Sequence, residues 1–185
     1  MSGLGDVSRE GLQPIQFDIR VGTTADIGKM ALVMERANAA RDGQQLLEVV
    51  TDEYRLAEIH TRMGYMGAWS YLAENEKESA GFVLGHPSFS EDTIESREED
   101  EYLALLMIEP RYWGKGVGST LLDKAADKAI TLGRERLILW TVNDNSRARQ
   151  LYERKGYILA NKQRHSKRQP EVVLERYDLD LGLTK

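Results

Sequence analysis

The chain has 185 residues, 25 Lys plus Arg against 30 Asp plus Glu, and 41% hydrophobic residues, the make-up of one ordinary globular domain. A net charge of −5 and a pI near 5.4 argue against a general nucleic-acid binder, whose phosphate contacts require an excess of basic surface. The absence of Cys excludes disulfides, thiolate zinc sites and cysteine nucleophiles, and suits a reducing cytoplasm. No apolar run approaches the roughly 20 residues of a membrane-spanning helix, and Met1 to Gln13 lacks the shape of a signal peptide, so the reading is a soluble, cytoplasmic protein.

Residues 1–14 have no periodicity and read as a flexible tail, which places the folded domain at 15–181. Ile15, Phe17, Ile19 and Val21 alternate with polar residues, the period-2 pattern of a half-buried strand. Thr23 or Thr24 then caps a helix carrying Ile27, Met30, Ala31, Met34 and Ala37, and a second helix is expected from Gln44 to Met63 with Gly64 as its stop. Ala68 to Ala73 and Gly81 to Leu84 read as a hairpin across the polar turn Glu74 to Ser79. Gly85 to Asp100, with Pro87, several serines and a crowd of carboxylates, reads as an acidic loop.

Tyr102 to Ile108 is almost wholly apolar, as expected of a central strand covered on both faces. After Pro110 come Gly114, Gly116 and Gly118, then a helix with Val117, Leu121, Leu122, Ala125, Ala129 and Leu132 on its apolar face. Leu137 to Val142 is a second buried strand. Asn143, Asp144, Asn145 and Ser146 offer N-caps for a short helix to Lys155 that Gly156 closes. Strands at Tyr157 to Ala160 and Val172 to Leu179 end the domain, joined by a basic loop from Lys162 to Arg168.

A strand running into a glycine-rich turn that opens a helix suits a pyrophosphate, because the first helical N–H groups are unpaired and the helix dipole favours an anion there. Glycines also occur at such turns for packing alone, so the residues by themselves leave both readings open. The Walker arrangement does not fit, since no Gly-Lys-Ser/Thr follows a four-residue gap from a first Gly. The dinucleotide fingerprint does not fit either: the order is Gly-x-Gly-x-Gly, far inside the chain.

Arg111-Tyr112-Trp113-Gly114-Lys115-Gly116 matches Gln/Arg-x-x-Gly-x-Gly/Ala, and Asn145 with Leu151-Tyr152-Glu153-Arg154-Lys155-Gly156-Tyr157 matches Asn followed by Leu-Tyr-x-x-x-Gly-Phe/Tyr. On these two spaced motifs the chain resembles the GNAT superfamily of N-acetyltransferases. The likeness covers Ile15 to Leu179 in order of elements, with its specific residues between Leu103 and Tyr157. It implies an α/β single domain: a mixed sheet of about six or seven strands, helices on both faces and a splayed central parallel pair. It further implies acetyl-CoA as co-substrate, with no metal. The backbone of Leu106, Met107 and Ile108 would line the pantetheine arm. Arg111 would belong to the cofactor site, the backbone N–H groups of Gly114, Lys115, Gly116, Val117, Gly118 and Ser119 would hold the pyrophosphate, Asn145 would touch the arm, and Tyr152 would protonate the departing thiolate. One residue departs from the pattern. Trp113 stands where the superfamily often has Arg, so a basic contact to the cofactor is expected to be missing.

A phenol of pKa about 10 is protonated at neutral pH and suits the acid role, although Ala148, Leu151 and Tyr152 share one helical face and would equally serve a core. Glu101, at the start of the central strand, is the candidate base, directly or through a water, with Glu99 behind it. His60, His86 and His165 are scattered without ligand spacing, so neither a metal site nor a His triad is supported. The expected reaction is direct acetyl transfer to an amine, with an oxyanion contact from backbone N–H near Ile108. The alternative is a catalytically silent acyl-CoA-binding regulatory module, which would need neither Tyr152 nor a base. The acceptor is an unidentified amine, and the carboxylates between Glu91 and Glu101 favour a cationic one. No nucleic-acid or membrane partner is expected. The acyl group's size and the oligomeric state stay open, a homodimer included.

Overall fold

The computed structural model describes residues 16–44, 51–76, 78–88, 97 and 99–182. The first strand, β1 (Asp18–Val21), is shorter than its alternation predicts, and Val21 points outward, 64% exposed. The chain then turns on Asp26, whose carboxylate accepts from the Thr23 N–H and hydroxyl at 2.9 and 3.1 Å, closing a 3-10 turn ahead of α1 (Ile27–Arg41). Arg20 clamps the same carboxylate at 2.7 Å and also bonds Glu74, and its hydrogen bond holds Asp26 well below the usual carboxylate range. Asp52 caps α2 (Glu53–Met63), accepting from the Tyr54 N–H at 3.0 Å. The helix therefore begins at this cap and not at Gln44, which lies outside any helix; Leu46, Leu47 and Val50 fall outside the described residues.

The hairpin is β2 (Trp69–Asn75) and β3 (Glu78–Pro87), and β3 reaches further than expected, setting Pro87 opposite Glu101 of β4 (Asp100–Ile108). The expected acidic loop thus opens as strand; Glu91, Asp92, Glu95 and Glu98 fall outside the described residues. A 3-10 turn over Pro110–Tyr112 leads to α3 (Val117–Thr131), followed by β5 (Arg136–Val142), α4 (Ser146–Arg154), β6 (Ile158–His165) and β7 (Val173–Asp180). Two further expectations are corrected here. Leu132 is the exposed C-cap of α3 and not part of its apolar face. β6 occupies much of the expected basic loop: it is an edge strand with polar residues on both faces, and Asn161, at φ 51, sits in a bulge that interrupts the period-2 pattern.

The seven strands form one sheet in the order β1-β2-β3-β4-β5-β7-β6, antiparallel throughout except for the β4–β5 pair. α1 and α2 cover one face over Met30, Met34, Ile59, Leu72, Phe82 and Leu84; α3 and α4 cover the other over Leu121, Leu122, Ala125, Leu139 and Tyr177. Truncating any one of these buried leucines to Ala would cost about 2 to 5 kcal/mol, so the sheet is a rigid platform for what its strands expose. The parallel pairing lasts only from Asp100 opposite Arg136 to Leu103 opposite Leu139. Beyond Leu103 the two strands part, while β5 stays paired with β7 as far as Val142. Ala104 to Ile108 thus keep a neighbour on the β3 side alone. At the point of parting β4 carries a bulge: Leu105 faces Leu84 and Leu103 faces Gly85, leaving Ala104 as the extra residue.

Candidate active site

The parting of β4 and β5 opens a cavity of about 710 Å³, walled by Leu103 to Ile108 on one side and Leu139 to Val142 on the other. At its mouth lies the glycine turn. Gly114 and Gly116 have φ of 75° and 88°, a region Gly occupies without steric cost, and a Cβ built at either would meet no atom within 4 Å. That open space borders the N-terminus of α3, where unpaired N–H groups and the helix dipole make a cradle for an anion. Gly118 has a different reason: a Cβ there would meet Leu151 at 2.9 Å, so its bareness lets α4 lie against α3.

Leu106, Met107, Ile108, Gly114, Gly116, Gly118, Ser119, Asn145 and Tyr152 all line this one cavity. Asn145 is also the N-cap of α4, its Oδ1 accepting from the Ala148 N–H at 3.3 Å. Tyr152 is only 6% exposed and packs against the rings of Tyr157 and Tyr177. Burial pushes its phenol above the usual range, so it holds its proton at neutral pH. Its hydroxyl bonds no described group, which leaves it to whatever enters the cavity.

Two expected site residues are placed elsewhere, Arg111 and Glu101. Arg111 turns away to pair with Glu78 at 2.6 Å. Lys115 lies over the Tyr112 ring and the Val117 side chain is buried in the core, as expected of the helix's apolar face, so these two meet the turn through their backbone, between glycines that line the cavity. Glu101 is fully buried where β4 and β5 are still paired, about 10 Å of strand short of Ala104. Trp69 Nε1–H donates to it at 2.6 Å and Arg134 lies 3.0 Å away. Burial pushes its carboxyl up against the opposing pull of both partners. Asp100 beside it is equally buried and paired with Arg136 at 2.6 Å. The structure does not bring Glu101 into the cavity, and Glu99 lies exposed in the turn before β4.

The lining also holds residues that motif reading passed over: Asn38 and Arg41 from α1, Trp140 from β5, and Arg147, Arg154 and Lys155 from or just beyond α4. Arg147 stacks its guanidinium 3.8 Å from the centre of the Trp113 ring. Nothing in sequence spacing pairs those two positions, although the departure at Trp113 marked the place. Among the described lining residues there is no Asp, Glu or His.

A mixed sheet whose one parallel pair splays beside a glycine turn that opens a helix defines the class of this protein as an α/β fold. The chain belongs to the acetyltransferase (GNAT) family, whose model matches residues 38–157. It is 37% identical over 86 residues to the uncharacterized N-acetyltransferase YhfO of Bacillus subtilis, covering 46% of this chain and 56% of that protein. An uncharacterized N-acetyltransferase of Archaeoglobus fulgidus is 31% identical over 81 residues, 44% of this chain and 54% of that one. The matched stretch thus spans about half the length of these relatives. Among solved structures, the ribosomal-protein-S18-alanine N-acetyltransferase of Escherichia coli superposes with a TM-score of 0.70 at 17% identity, over 92% of this chain and 97% of that one. The PaiA N-acetyltransferase of Thermoplasma acidophilum, solved in complex with coenzyme A, gives 0.63 at 16% identity, over 87% and 98%. At such identities the likeness is one of fold, over about nine-tenths of this chain. No described helix is long and apolar enough to cross a membrane.

Proposed function

We propose that this protein transfers an acetyl group from acetyl-CoA to an amine, with CoA lying in the gap between β4 and β5. The observation that carries the reading is the convergence, in one cavity, of a stretch of β4 left open on its β5 side, an open glycine cradle and a protonated tyrosine. Membership of the acetyltransferase family supports it, as does the CoA bound by the Thermoplasma relative in fold.

The residues fit such a ligand on their own terms. The free edge of Ala104 to Ile108 offers backbone N–H and C=O groups to a pantetheine arm lying alongside as an extra strand. Gly114 and Gly116 leave room for a pyrophosphate against the first N–H groups of α3. When bound, acetyl-CoA supplies a thioester whose C–S bond breaks as the acceptor nitrogen forms the new C–N bond. The Ala104 bulge leaves backbone outside the regular ladder where the gap begins, a fixed donor for an oxygen gaining negative charge. The N–H near Ile108 stays a second candidate on the same open edge, since Trp113 engages the carbonyl of Ile108 and not its N–H. Tyr152 holds a proton on Oη for a departing sulfur, and the acceptor nitrogen sheds its proton to solvent, from which the phenol is reprotonated.

The acceptor is taken only as far as an amine. Preference for a cationic one rested on the carboxylates from Glu91 to Glu101, and the two of these in the strand, Asp100 and Glu101, are engaged in buried ion pairs away from the cavity. The decisive experiment follows acetyl-CoA consumption against a mixed amine panel. Release of free CoA together with an acetylated amine supports the proposal, and binding of acetyl-CoA without turnover on any amine favours the regulatory module instead.

A further inference from the structure

The surroundings of Trp113 give its departure from the family pattern a physical meaning. Its indole N–H donates to the carbonyl of Ile108, the last residue of β4, at 2.9 Å, which fixes the ring at the rim of the gap on the β4 side. From the β5 side Arg147, in the first turn of α4, brings its guanidinium to 3.8 Å from the ring centre. Both line the cavity, next to the open space at Gly114.

The other cations nearby are engaged or remote. Arg111 pairs with Glu78, Arg41 with Asp42 and Lys155 with Asp123. Arg154 lies at the far end of α4, about 10 Å along its axis from Arg147. Arg147 has no carboxylate within ion-pair distance among the described residues. A guanidinium held by its face against an aromatic ring keeps its in-plane N–H donors for an oxyanion, and stacking reduces the rotamer freedom it would lose on binding.

We infer that Trp113 and Arg147 form one unit that binds the CoA pyrophosphate: Arg147 supplies the charge from across the gap, and Trp113 positions it. The missing basic contact at position 113 is thereby replaced from α4. This inference rests on the reading that CoA lies in the gap, and it concerns binding, not chemistry, so its effect belongs in Kd and in the KM for acetyl-CoA with kcat nearly unchanged.

The test is calorimetric titration of CoA into the full chain and its variants R147A, W113A, W113F and W113A/R147A, at low and high salt. Arg147 is exposed, so R147A leaves the core intact. R147A should weaken CoA binding by about 10- to 100-fold, the range of a charge-assisted hydrogen bond, and should flatten the salt dependence of Kd. W113A should lose most of the same factor, W113F should recover most of it, and the double variant should bind no worse than R147A, because the two losses are one loss. The R147A penalty should persist with dephospho-CoA, which retains the pyrophosphate but lacks the 3′-phosphate. Fully additive losses, changes below about twofold, or a penalty that vanishes with dephospho-CoA would each overturn the assignment. Wild-type protein that binds no CoA would instead sink the functional reading itself.

Discussion

Tyr152 and Glu101 are both nearly inaccessible to solvent, yet their surroundings suit opposite roles. The tyrosine hydroxyl has no partner among described groups and opens on the cavity, whereas the glutamate is held by Trp69 and Arg134. Tyr152→Phe should therefore keep the CoA affinity and lower kcat by about 10- to 10,000-fold, the reach of general acid catalysis. Full activity in that variant would return Tyr152 to a packing role. Glu101→Gln should leave kcat within about threefold, since a base would lose at least 100-fold. Its burial raises the folded pKa above the unfolded one, so the ionised carboxyl costs stability at neutral pH and that cost fades as pH falls through the folded value. A Tm at pH 7 that holds steady or rises in Glu101→Gln fits this sign; a sharp drop would show that the Arg134 pair outweighs burial.

At the scale of elements, the turn into α3 is the sharpest local prediction. Gly116→Val places a branched side chain both in a backbone region it disfavours and in the space left for phosphate. Binding of CoA should fall at least about tenfold while the domain still melts cooperatively, the strain costing on the order of 1 to 3 kcal/mol. Unchanged CoA affinity would take the pyrophosphate away from this turn. The central strands and the turn were legible because an apolar run, a capping residue or a glycine each has a local cause. Three features were not. The Ala104 bulge adds a residue inside an all-apolar strand and so leaves no mark on the pattern. β6 has no buried face to alternate, being an edge strand. The Trp113–Arg147 stack joins positions far apart in the chain, which only the parting of β4 and β5 brings together. The burial of Glu101 has a related cause: a carboxylate at a strand end carries no sequence mark of the neighbouring strand and the Arg134 guanidinium that close over it.

For the whole molecule, ion pairs hold both parts of the sheet: Arg20 with Asp26 and Glu74 joins β1 to β2 at one edge, and Arg136 with Asp100 and Asp178 joins β5 to β4 and β7 at the centre. Asp26 and Glu74 are held low chiefly by hydrogen bonds from Arg20; for Asp100 burial alone would raise the pKa, but Arg136 and the Arg97 N–H outweigh it. Depressed folded pKa values mean that stability is fully present above the ordinary carboxylate range, about pH 4, and is lost progressively as pH falls below it. Denaturant unfolding at stepped pH should show that acid loss, and Asp100→Asn should flatten it while lowering stability at neutral pH. An identical acid slope in the variant would remove Asp100 from the account. At this scale the proposed function is delivery of an acetyl group to an amine through the gap between β4 and β5. Mass spectrometry of the amine panel, read alongside the thiol released from acetyl-CoA, tests it most directly. The account predicts one acetylated amine for each CoA freed, with both signals falling together in Tyr152→Phe; acetyl-CoA that binds tightly yet stays intact with every amine would contradict it.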